Sequence, residues 1–186
     1  MSLNDLKIYT VKKGKHDFSP KEFRSIYRLK NVGAFEYEVV FDASCDYVIQ
    51  GEDQGDFNKG GGVSFDWYTN TKNAAMWAWR NTPGVGIELA GYFHKDGETI
   101  IGDEFGMVAM VCNFGERVKI QVWRAFKSWR VTFVKLDVDG NGIEYAEQQL
   151  DFGKAHELGY RIGLWFGGNQ PAPQKMQVWV DYNVSR

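Results

Sequence analysis

The feature that most constrains this chain is alternation with a period of two. From Ala34 to Phe41 the residues Phe35, Tyr37, Val39 and Phe41 share one face, and Glu36 and Glu38 share the other. Val118, Ile120 and Val122 repeat the pattern against Lys119 and Gln121. So do Trp129, Val131 and Phe133, then Ile162, Leu164 and Phe166, then Val178, Val180 and Tyr182. Successive side chains of a strand point to opposite faces, so each of these segments buries one side and wets the other. Turn residues fall between the segments: Asn31-Val32-Gly33, Gly60-Gly61-Gly62, Thr82-Pro83-Gly84, Lys95-Asp96-Gly97, Asp139-Gly140-Asn141-Gly142 and Gly167-Gly168-Asn169. Roughly ten or more strands at this spacing predict an all-β, antiparallel two-sheet β-sandwich. Ser19-Pro20-Lys21-Glu22 has the form of a helix cap. It is read as a turn before a strand that carries Tyr27 and Leu29. Residues 1–22 then make an N-terminal arm or edge strand plus turn. No repeat or linker divides the 186 residues, and a single domain over 1–186 is expected.

Charge and length remove several function classes. Lys and Arg number 22 against 24 Asp and Glu, a net charge of −2. That balance excludes a nucleic-acid partner held by phosphate neutralisation. The longest apolar run is far shorter than the roughly 20 residues of a spanning helix, so membrane insertion is not expected. The start MSLNDLKIYT lacks the charged and apolar regions of an export signal. Cytoplasmic synthesis with virion assembly is one expectation, and an extracellular site after signal removal is the other. Cys45 and Cys112 stand 67 positions apart, without metal spacing, and are expected to be two buried thiols.

Three stretches carry candidate chemistry. Gly51-Glu52-Asp53-Gln54-Gly55-Asp56-Phe57-Asn58-Lys59-Gly60-Gly61-Gly62 is the most polar. Read as a loop, its carboxylates, amide and glycine N–H groups suit sugar hydroxyls or a hard cation, or only solvent. Asp137-Val138-Asp139-Gly140-Asn141-Gly142 imitates the start of a calcium loop, which would make Asp137, Asp139 and Asn141 ligands. Position twelve of that loop is Gln148 where a bidentate Glu is required, and a hairpin turn accounts for the same residues. No cofactor is required, and calcium is the one metal with a candidate site. In Met76-Trp77-Ala78-Trp79-Arg80, the two Trp share a face opposite Arg80. Downstream, Glu88, Tyr92 and His94 share a face opposite Ile87, Leu89 and Phe93. If these strands neighbour each other, Arg80, Glu88, Tyr92 and His94 line one polar surface. There a Tyr/His pair could abstract a proton while Arg80 neutralises a uronate; ordinary cross-strand pairs are the plainer account. The sequence holds no nucleophile elbow, phosphate loop, dinucleotide fingerprint or zinc-protease motif.

Lys13-Gly14-Lys15-His16, Asp53 to Lys59, Trp79-Arg80, Ala90-Gly91-Tyr92, Gly159-Tyr160 and Phe166-Gly167-Gly168-Asn169-Gln170-Pro171-Ala172-Pro173 together form a pattern. It resembles the small concanavalin A-like jelly rolls of bacterial and phage proteins. The resemblance implies a jelly-roll fold within a superfamily of lectins, glycan-binding modules, glycosidases, polysaccharide lyases and virion proteins. The lyase branch's catalytic motifs are not recognisable.

Aromatic residues make up 16% of the chain, more than an average core demands. Ring faces stack on the apolar faces of sugars while polar loop groups fix orientation. A lectin-like, non-catalytic carbohydrate-recognition or adhesion domain is therefore the leading expectation. Its binding residues would be Asp53, Asp56, Asn58, Trp67, Tyr68, Trp77 and Arg80, and its partner a glycan or polysaccharide. The alternatives are a phage virion structural or decoration protein, contacting other virion or cell-surface proteins, and a polysaccharide lyase or glycoside hydrolase.

Overall fold

The computed structural model describes residues 6–21, 25–66 and 71–186. Over these residues the chain is all-β. Its strands are β1 (Lys7–Val11), β2 (Phe18–Ser19), β3 (Ile26–Arg28), β4 (Ala34–Phe41), β5 (Asn58–Ser64), β6 (Ala74–Thr82) and β7 (Gly86–Lys95). They continue as β8 (Glu98–Ile101), β9 (Met110–Cys112), β10 (Arg117–Ala125), β11 (Ser128–Leu136), β12 (Gly142–Asp151), β13 (Leu158–Ile162) and β14 (Met176–Ser185). One sheet, A, runs β12-β11-β10-β4-β14-β1-β2. The other, B, runs β3-β13-β5-β6-β7-β8, with β9 also paired to β7. The antiparallel sandwich expected from the alternation is what forms.

Alternation supplies the core directly. Phe35, Tyr37, Val39 and Phe41 of β4 face inward with Val118, Ile120 and Val122 of β10, and all are buried. Sheet B answers with Trp77, Trp79, Ile87, Leu89 and Phe93, each 0% exposed. The rings interlock between sheets: Tyr37 meets Trp77 edge-on at 5.7 Å, and Phe41 meets Trp79 at 5.0 Å. Most of the aromatic excess is therefore packing. Cys45 and Cys112 are free and buried, and burial pushes the Cys112 thiol up to about 12. Such a thiol stays protonated and unreactive at neutral pH.

One polar side chain crosses the core. Gln148 of β12 is buried; its Oε1 accepts from the Gly91 N–H of β7 at 2.7 Å, and its Nε2 donates to the Gly106 carbonyl at 2.8 Å. The residue that breaks the calcium-loop pattern is thus a tie between the sheets.

The glycine run is a correction. Gly60-Gly61-Gly62 reads as a turn but lies inside β5, in the middle of sheet B. A Cβ on Gly60 would stand 2.0 Å from the Trp77 ring. On Gly62 it would stand 2.2 Å from the Ala75 carbonyl, and the φ of Gly62 is +152°. Only glycine admits the indole and the backbone this closely. The register against β6 shifts between Lys59 and Gly61, a β-bulge. The Ile162–Phe166 segment is also shorter as a strand than its alternation suggests: β13 ends at Ile162, and Trp165 forms isolated bridges to Asp17 and Lys59.

Candidate functional site on the outer face of sheet B

The outer faces of the two sheets differ in chemistry. On sheet A, polar side chains pair across strands: Arg117 with Glu38, Gln121 with Glu36, Arg130 with Glu147. These satisfied pairs make an ordinary solvated surface.

Register places the outward residues of sheet B in rows. One row crosses Asp17, Trp165, Lys59, Ala78 and Ala90. The next crosses Ile162, Gly62, Met76, Tyr92 and Ile101, and a third Tyr160, Ser64, Ala74, His94 and Thr99. On the other side Arg80 stands opposite Glu88. Small side chains fill the middle, so the longer ones around them form a rim. Phe57, Ala78 and Ala90 cluster there with Tyr92, Ile101 and Val108 against them.

Lys59 stands between two rings. Its backbone exchanges both hydrogen bonds with Trp165, at 2.9 Å each, so the two side chains lie on the same face. Its Nζ sits 5.8 Å from the centroid of the Tyr92 ring. Trp165 is 40% exposed, and its indole stacks on the His16 imidazole at 5.3 Å and 9°. Beyond Tyr92, the His94 ring meets it edge-on at 5.3 Å. The Nδ1 of His94 lies 3.3 Å from the Thr99 hydroxyl, and its Nε2 is buried with no hydrogen-bond partner. Partial burial pulls the Lys59 ammonium down. Burial and then the nearby Lys59 charge pull His94 down, and burial lifts the Tyr92 phenol. At neutral pH the cluster holds a neutral imidazole, a protonated phenol and a half-desolvated cation.

The two depressed histidines fix a pH response. His94 and His156 are both held below the ordinary histidine value, each chiefly by burial. As pH falls through about 7.5 to 5.5 the unfolded chain takes up protons first, so the unfolded state binds more and stability falls with pH. Thermal unfolding should show a lower melting temperature at the acid end, and His94→Gln should flatten the slope. A melting temperature that rises on acidification contradicts the assignment.

The residues expected from the sequence to act are scattered by the structure. Arg80, Glu88, Tyr92 and His94 do share the outer face, because β6 and β7 pair. Arg80, however, is spent: Nε donates to Glu88 at 2.6 Å, Nη1 donates to the Gly55 carbonyl at 2.8 Å, and the guanidinium lies 4.5 Å from the Phe57 ring centroid. A different cation, Lys59, stands beside Tyr92 and acts on His94, and the loop reading of Gly51–Gly62 concealed it. Trp77 is corrected from stacking platform to core ring at 0% exposure. Asn58 is corrected likewise. It is 1% exposed, donating to the Tyr47 hydroxyl at 3.0 Å and accepting from the Gly167 N–H at 2.8 Å. Asp53 accepts from the Gln170 N–H at 3.0 Å and ties two loops together. Asp56 is exposed, its carboxyl raised by burial and by the nearby Asp53 and Glu52. Trp67 and Tyr68 lie outside the described residues. In the calcium-like segment, Asp137 Oδ1 accepts from the N–H groups of Asp139 and Asn141 at 3.0 and 2.8 Å, and Oδ2 from the Asn141 amide at 3.1 Å. Those bonds cap the β11–β12 hairpin. Trp165 was legible by parity, since Leu164 and Phe166 face the other way; Ile162, which the alternation put with them, stands on the outer face opposite Gly62. His16 had no local signal.

No family model and no curated protein matches the sequence. Solved structures share its fold. The alginate lyase Aly36B superposes with a TM-score of 0.56 at 14% identity, over 99% of this chain and 81% of that one. A double mutant of Aly36B has also been solved in complex with an alginate tetrasaccharide. The alginate lyase from Klebsiella pneumoniae gives 0.57 at 12% identity, over 83% of this chain and 60% of that one. The CBM2 module of the evolved Dit of Lactobacillus casei BL23 phage J-1 gives 0.51 at 8% identity, over 94% and 74%. The likeness is one of fold: this chain is an antiparallel two-sheet jelly-roll sandwich.

Proposed function

We propose that the outer face of sheet B is a carbohydrate-binding surface, with Trp165 as its stacking platform and Lys59 and Tyr92 as its polar contacts. The observation that carries this is an indole left 40% exposed, braced flat on His16 beside a lysine and a tyrosine, above a floor of alanines. Exposed rings on a rigid sheet match the apolar faces of sugars, and groups at the rim answer their hydroxyls. The fold relatives named above include alginate lyases and a CBM2 module, which supports a glycan as partner. A glycan array followed by calorimetry on the polysaccharides it selects tests the proposal. Absence of binding to every class, with and without calcium, overturns it.

A second reading, a polysaccharide lyase, rests on the Lys59–Tyr92–His94 cluster. In β-elimination of a uronate, His94 would take the proton α to the carboxylate, and the C–H electrons would form the new C=C bond. The glycosidic C–O bond would break as the Tyr92 phenol protonates the leaving oxygen, with Lys59 against the carboxylate. The neutral imidazole and protonated phenol are the states this step requires. Incubation with alginate, glucuronan and neutral glucans, followed at the ultraviolet absorbance of unsaturated ends, decides between binding and cleavage. The cleavage reading expects turnover on a uronate polymer, lowered at least about 100-fold by Tyr92→Phe with binding retained. Binding without any turnover leaves recognition alone. The virion reading draws on one fold relative, the phage Dit module, and on no residue of this chain.

A further inference from the structure

A cavity of about 580 Å³ opens where β3, the end of β10 and the segment entering β13 meet. Its lining includes Arg28, Lys30, Arg124, His156, Glu157 and Leu158. Three permanent cations against one acid is an unusual wall for this protein. Elsewhere Arg80, Arg117 and Arg130 each meet a glutamate. Among the described residues, Arg28, Lys30 and Arg124 take part in no ion pair. Arg124 gives Nη1 to the His156 carbonyl at 3.3 Å, and Arg28 and Lys30 are exposed. Converging like charges repel, and a carboxylate from the chain would be the simplest relief. Among the described residues, Glu157 is the one acid in the lining.

The remaining wall is not built for a bare ion. The His156 ring lies flat on Phe65 at 4.2 Å and 17°, and its Nε2 is buried with no hydrogen-bond partner. Leu158 is 44% exposed beside the cations and pairs with Arg28 across β13 and β3. By register both stand on the same outer face of sheet B as Tyr160, at its edge. A volume of this size matches a small-molecule pocket, several times the bulk of a lone oxyanion.

We propose that this cavity is a subsite for an anionic sugar unit, one bearing a carboxylate or a sulfate. Arg28, Lys30 and Arg124 take the oxyanion, and Leu158 covers the apolar face of the ring. Guanidinium forks fit planar carboxylates and sulfates better than point charges do. The proposal deepens the reading of sheet B as a glycan surface and rests on it for the sugar: a chain crossing from Trp165 toward β3 would end here. It makes the preferred polymer polyanionic.

Calorimetry and amide shift mapping on the full chain test it with four probes: a polyuronate oligosaccharide, a sulfated oligosaccharide, a neutral oligosaccharide of equal length, and inorganic phosphate. At least one acidic oligosaccharide should shift the amides of residues 28–30 and 156–158 and bind more weakly as salt rises. The double variant Arg28→Ala/Lys30→Ala, changed only at exposed positions, should lose that binding about tenfold or more while neutral binding is unchanged. Trp165→Ala should weaken acidic and neutral sugars alike. Equal affinity for acidic and neutral oligosaccharides, undiminished in the double variant, overturns the subsite and leaves the glycan surface standing. Failure of the wild type to bind any oligosaccharide overturns both. Phosphate alone shifting these amides overturns the sugar assignment.

Discussion

Trp77→Ala is expected to lower the melting temperature by about 10 °C, from a loss of about 3–5 kcal/mol for a fully buried indole. The test lies in its coupling to Gly60. A methyl on Gly60 would meet the Trp77 ring at 2.0 Å, so Gly60→Ala alone forces that ring to move and should cost about 1–3 kcal/mol. In the Trp77→Ala background the clash is gone, and the same methyl enters the vacated space. Gly60→Ala should then cost less than about 0.5 kcal/mol, or recover some stability, giving a coupling energy of about 1–3 kcal/mol. Urea unfolding of the four proteins measures it. Strict additivity would mean that Gly60 is there for its backbone and that the ring contact is incidental.

The second large effect is functional. Trp165→Ala should weaken glycan binding at least about tenfold. Covering about 60 Å² of apolar surface at about 25 cal/mol per Å² gives about 1.5 kcal/mol, which is that factor. Trp165→Phe keeps a ring face and should retain most of the affinity. His16→Ala removes the stacked support and should fall between them. Because Trp165 is 40% exposed, its loss should lower the melting temperature less than Trp77→Ala does, and binding measured well below that temperature separates a binding defect from a folding one. Unchanged affinity in Trp165→Ala would place any glycan elsewhere on the molecule.

These two residues mark how far the sequence could be read. Alternation located the sheets because a half-buried strand repeats every two residues whatever its partners are. It also sorted Trp77 and Trp165 onto faces, but parity says only that two faces differ; which one meets the second sheet depends on neighbours far along the chain. Trp77 therefore passed for a platform although it packs against Tyr37. Gly60-Gly61-Gly62 misled for a related reason. Glycine suits turns through its backbone freedom and suits crowded strands through its missing Cβ, and the deciding ring lies beyond any local window. Arg80 was placed on the right surface, yet its capture by Glu88 and the Gly55 carbonyl depends on strand register and on a loop 25 positions away. The cluster at Lys59 and the braced indole at Trp165 arise from pairing between distant segments, which spacing along the chain does not encode.

The bulge in β5 has one more consequence. Beside it, Gly60 and Gly61 both approach inward rings, Trp77 and Tyr37, so facing does not alternate through this point. Lys59 faces out and Val63 faces in although four steps separate them, because the bulge takes up one of the four. Deleting one glycine of the three would leave three steps and strict alternation, so the bulge would go while Lys59 kept its outward face and Asn58 its buried one. The strand thus carries one residue more than its alternation needs, and a one-residue deletion would straighten it without turning the charge.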